Sequence, residues 1–173
     1  QLAEEDKRNV EAYDWLSKVY QSQQQPIESQ KALQHAVERS PKSILRQMEL
    51  GQIAKTNQDW AIAEVAFRKA VNLGRNSCYR TPNNYTALVQ VLQHKIKDAE
   101  GRKSKDALTE ALRIIDSLEK EFSDNTDVLL FAKILLAETN GNLGKTKEAD
   151  QILTALATDI SNAAEQMSQS MAL

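Results

Sequence analysis

The chain has 173 residues, enough for one domain or a short repeat array. Hydrophobic residues make up 41%, and 22 Lys and Arg against 24 Asp and Glu leave a net charge of −2. That balance lacks the basic excess that counterion release from nucleic acid requires. No apolar run approaches the ~18 residues of a membrane span. The single Cys78 excludes an internal disulfide and fits a reducing cytoplasm. With no initiator Met and no signal peptide, the chain reads as a piece of a longer protein.

Residues 1–9 read as a linker or the tail of an upstream helix. Val10 to Ser22 carries Tyr13, Leu16, Val19 and Tyr20 on one face, which predicts an amphipathic helix. Gln23 to Pro26 is the turn, and Ile27 to Ser40 the second helix, stopped by Pro41. Ile44 to Gly74 repeats the arrangement, with Asp59-Trp60 at the turn and Gly74 as a helix stop. After a loop through Cys78, Thr81 and Pro82 open a third unit with Tyr85, Leu88 and Leu92 on its face. The charged run Lys97 to Lys103 is a helix extension or a loop. Asp106 to Phe122 is the partner helix, through Ala111, Ile115 and Leu118. Asp127 to Asn140 is apolar on several faces, which predicts burial between neighbours. Leu143-Gly144-Lys145 turns the chain, and Ala149, Ile152, Leu153 and Leu156 mark a last helix running to about Ser161. Residues 162–173 are expected to form a C-terminal cap or tail.

Val10 and Ile44 are equivalent positions, and 44 − 10 = 34. Tyr13, Leu16, Tyr20, Ser29, Leu33, Ala36 and Pro41 mark the first unit; Leu50, Gly51, Ala54, Ala63, Phe67 and Ala70 mark the second. The second unit matches the Leu-Gly and Ala-x3-Phe-x2-Ala parts of the pattern W-x2-L-G-x2-Y…A-x3-F…P, whose period is about 34 residues, and lacks its Trp and its Pro. The chain therefore resembles the tetratricopeptide repeat (TPR) family over 10–161, in units of about 10–43, 44–81, 82–125 and 126–161. The resemblance implies an all-α fold of antiparallel helix-turn-helix repeats stacked as a right-handed superhelix. Small residues at Gly51 and Ala63 let paired helices approach, and Leu50 and Phe67 fill the space beside them. Phe67→Ala and Ala63→Leu are the substitutions that test this register.

A narrower likeness lies in Ser40 to Arg46, Leu50-Gly51 and Ala63 to Ser77. It resembles the TPR region that follows the receiver domain in a class of bacterial response regulators. That implies a cytoplasmic output or adaptor role in two-component signalling.

Chemistry-bearing residues are sparse. His35 and Glu38 share a helix face, but a metal site needs further ligands from other helices, and the remaining histidine is His94. Cys78 lies between Arg75 and Arg80 without a histidine close in sequence to serve as base. Asp116, Glu119, Glu121 and Asp124 read as a solvated face. Five scattered glycines make no phosphate loop. No catalytic residue, metal or cofactor is assigned, and the chain is read as a non-enzyme. Carrying the repeat register over, Asp14, Lys18, Met48, Gln52, Thr86 and Gln90 face the groove lined by the first helices. A Lys and Asn clamp for a peptide carboxylate is not reproduced, since the first unit offers Asp14 and then Lys18. The expected role is a protein or peptide interaction module, with no nucleic-acid or membrane partner. Self-association through Val128 to Leu136 or the terminal helix is the alternative.

Overall fold

The computed structural model describes residues 9–98 and 102–171. The expected linker at 1–8, part of the charged run at 99–101, and residues 172–173 lie outside them. Among the described residues the chain forms eight helices: α1 (Val10–Ser22), α2 (Pro26–Arg39), α3 (Ile44–Thr56), α4 (Trp60–Gly74), α5 (Pro82–Asp98), α6 (Arg102–Glu121), α7 (Thr126–Asn142) and α8 (Thr146–Met171). The chain divides into two compact units, residues 1–91 and 92–173, with the division inside α5.

The helix starts follow from local chemistry. Asn9, Ser43, Asp59 and Asn125 each accept a bond from a first-turn backbone N–H through their side chains. Pro26 opens α2 and Pro82 opens α5, where a missing N–H costs nothing.

The turns within three helix pairs are replicas. Gln24, Gln58 and Gly144 all have positive φ, at 56°, 60° and 74°. At each, the next N–H reaches back to the helix end: Gln25 to Tyr20 O, Asp59 to Ala54 O and Lys145 to Asn140 O. Each pattern is a Schellman closure, and Gly144 meets its left-handed backbone without a Cβ.

In the first unit, Phe67 lies fully buried across the backbone of Gly51. A Cβ built on Gly51 would sit 2.6 Å from Phe67 Cε1. One repeat earlier the ring is replaced by Leu33, and the glycine by Ser17, whose Oγ meets Ser29 Oγ at 2.8 Å. A smaller filler leaves room for a hydroxyl pair at the same place. Between the first two pairs, Leu33 and Val37 of α2 pack with Leu50 and Ala66, joined by Ile53 and Ile62. Gln47 holds the place of an aromatic residue and is buried, with Nε2 donating to Pro41 O at 3.0 Å. Tyr13 fills that place in the first repeat, against the Arg39 guanidinium at 4.6 Å.

The second unit buries Leu92, Ile96, Ala111, Ile115 and Leu118, together with Ala132 and Leu135 of α7. Gln93 Nε2 donates to Thr139 Oγ1 at 3.0 Å inside it. Two expectations change here. Phe131 is 41% exposed, so α7 is not buried on every face; Ala132 and Leu135 are among its buried residues. The last helix continues past Ser161 to Met171, because residues 162–171 contain no Gly or Pro to stop it.

Phe67→Ala is expected to cost about 3–5 kcal/mol. Gly51→Ala and Ala63→Leu are each expected to cost about 1–3 kcal/mol by overpacking against fully buried neighbours. Urea unfolding checks all three, and neutral values would show that this contact does not hold the second repeat together.

Candidate functional site

A cavity of about 390 Å³ opens between α3 and α5. Met48, Glu49, Gln52 and Lys55 line it from α3, and Asn83, Thr86, Ala87 and Gln90 from α5. A second cavity of about 380 Å³ adjoins it along α3, lined by Gln21, Gln24, Pro26, Gln52, Ile53 and Thr56. Gln52 is the wall common to both. The two hollows follow from register: α1, α3 and α5 each begin a repeat, at Val10, Ile44 and Pro82, so corresponding positions on the three helices point the same way.

Gln52, Asn83, Thr86 and Gln90 give the lining its neutral polar groups, while most of the exposed wall is apolar carbon. Lys55 Nζ donates to Gln90 Oε1 at 2.7 Å, tying α3 to α5 across one end. Thr86 Oγ1 donates to Asn83 O at 3.2 Å, back into its own helix. Met48 supplies a flexible apolar surface suited to variable contact.

Of the six groove residues expected from the sequence, Met48, Gln52, Thr86 and Gln90 line this cavity. Asp14 and Lys18 do not. Asp14 is held by Arg46, whose Nε and Nη2 reach its carboxylate at 3.0 and 2.7 Å. The pair links α1 to α3 and is about one-fifth exposed on each side. Hydrogen bonding to Asp14 holds the Arg46 pKa above its ordinary value, against the lowering effect of burial. Lys18 instead lies over the Trp15 ring, its Nζ 5.1 Å from the centroid. Glu49, Lys55, Asn83 and Ala87 were not anticipated. Repeat position alone would have found Lys55 and Asn83, which stand one turn from Gln52 and Thr86 on the same helix faces.

The other candidates stay apart. His35 Nδ1 lies 3.3 Å from Glu38 Oε2 on an exposed face. Cys78 is exposed. Among the described residues, no group of three or more His, Cys, Asp or Glu side chains is placed to hold a metal ion. No helix among them is long and apolar enough to cross a membrane.

Comparison with known proteins gives the fold a context. Residues 10–43 match the tetratricopeptide repeat family. No curated protein sequence matches the chain. Among solved structures, MamA is similar with a TM-score of 0.63 at 20% identity, over 95% of this chain and 85% of that one. A Podosopora anserina kinesin light chain protein with nearly identical TPR-like repeats gives 0.67 at 15% identity, over 89% and 76%. The chain thus has an all-α, TPR-type helical-repeat fold.

A double-mutant cycle on Asp14→Ala and Arg46→Ala is expected to give a coupling of about 1 kcal/mol that shrinks with salt. Chemical unfolding at low and high ionic strength measures it.

Proposed function

We propose that this chain is a non-catalytic module whose α3–α5 groove binds an extended peptide segment of a protein partner. Tetratricopeptide repeats are protein-interaction scaffolds, and stacked repeats present a long side-chain surface. The observation that carries the reading is the cavity whose walls hold Met48, Gln52, Thr86 and Gln90 together. Amides there offer donors and acceptors to a peptide backbone, and Met48 accommodates different side chains. One carboxylate, Glu49, and one ammonium, Lys55, leave the walls balanced, so selection by strong charge is not expected.

Within that reading the chain is the output or adaptor region of a bacterial two-component signalling protein in the cytoplasm. Its support is the resemblance of Ser40 to Arg46 and Ala63 to Ser77 to such regions. The reading frame ahead of Gln1 checks it: a receiver domain there is the expected result, and a different domain removes the assignment.

For the groove, a peptide selected by display on the native chain is expected to lose roughly tenfold affinity with Met48→Glu, Gln52→Ala. Calorimetry on the folded variant measures this, and unchanged affinity would place the binding elsewhere.

A further inference from the structure

The first repeat and the last helix carry the two halves of a contact that the chain already makes once. That contact is the junction of α2 with α3 and α4, where Leu33 and Val37 pack beneath Leu50, Ile53, Ile62 and Ala66. Leu33 and Val37 are almost wholly buried by it.

Moving back one repeat of 34 residues, Leu50, Ile53 and Ala66 become Leu16, Val19 and Ala32, and Ile62 becomes Glu28 at the rim. Leu16 and Ala32 line an open cavity of about 230 Å³ with Tyr13, Tyr20, Glu28 and His35. Val19, one turn beyond Leu16 on α1, is 47% exposed, whereas its counterpart Ile53 is partly buried in the α2–α3 junction. The equivalent cavity one repeat later, of about 340 Å³, has Gln34, Val37 and Glu38 of α2 as an additional wall. The first repeat therefore presents an acceptor slot for a helix of the α2 type.

The last helix presents the matching donor. Aligning Ser29 with Ala149, a shift of 120 residues, sets Leu33 on Leu153 and Val37 on Ala157. The alignment agrees with the inner face, since Ala36 falls on Leu156 and both are buried. Leu153 is 46% exposed, and Ala157 is exposed one turn further on.

Polar groups at the junction also find counterparts. In the chain, Gln30 Nε2 donates to Asp59 Oδ2 at 2.8 Å, and Gln30 Oε1 accepts from Asn57 Nδ2 at 2.7 Å. The same shifts put Asp150 in place of Gln30, and Gln25 and Gln23 in place of Asp59 and Asn57. A carboxylate acceptor would meet two amide donors, with the exchange of roles preserving the pairing. All three residues are exposed.

We propose that the Leu153–Ala157 stripe of one molecule docks in the Leu16–Val19–Ala32 slot of a second copy, repeating the α2–α3 junction between molecules. The contact is head-to-tail, so each copy keeps one donor and one acceptor, and assembly proceeds beyond a dimer unless a ring closes. It involves none of the α3–α5 groove residues, and it stands or falls independently of peptide binding there.

Sedimentation velocity over two decades of concentration tests it. The native chain should grow in mass with concentration past the dimer. Leu153→Glu and Val19→Glu, both at exposed positions, should each be monomeric with unchanged helical circular dichroism, their association weakened roughly tenfold or more. Ala157→Glu and Val19→Lys repeat the pair should either variant lose helix. An equimolar mixture of Leu153→Glu and Val19→Glu should form a dimer and stop, since it retains one intact stripe and one intact slot. A native chain that stays monomeric overturns the proposal, as does a Val19→Glu chain that assembles like the native one, which would mean the stripe pairs with itself.

Discussion

The close approach of paired helices governs the first unit, and it depends on matching a large side chain with a small one. Phe67 reaches the backbone of Gly51, and Leu33 is accompanied by Ser17 and Ser29. Neither filler suits the other's partner: a ring over Ser17 would strike its hydroxymethyl group, and a leucine over Gly51 would leave a void. The two repeats thus fill the same place between paired helices with different volumes on each side.

Buried polar groups then fix which helix meets which. Gln47 donates to Pro41 O, Ser29 Oγ to Ser17 O, and Gln93 to Thr139. Each bond has a partner from a different segment, so a helix that slid by one turn would strand a polar group in an apolar layer. Apolar packing drives the pairing, and these bonds select its register.

Much of this architecture was legible in the residues. Helix pairs, the shift of 34 and the roles of Gly51, Ala63 and Phe67 follow from side-chain size at fixed spacing. The last helix was harder, because Ser and Gln after Ser161 look like a tail by composition while remaining compatible with helix. The sides on which α7 is covered were not legible, because an apolar sequence does not say which face a neighbour covers. In the groove, repeat position brought Met48, Gln52, Thr86 and Gln90 to one cavity. It did not reveal that Asp14 is engaged by Arg46, since an ion pair between residues 32 apart depends on rotamers that periodicity does not encode.

The turns inside the helix pairs carry a hereditary cost. Gln24 and Gln58 take up a left-handed backbone at corresponding places, each at about 1 kcal/mol relative to a residue without a Cβ. Duplicating such a segment copies its strain along with its packing, so an array grown from this template loses part of each added increment of stability at its own hinge. Gly144 shows the remedy within the same molecule, and makes the fourth pair the better ancestor for a longer array.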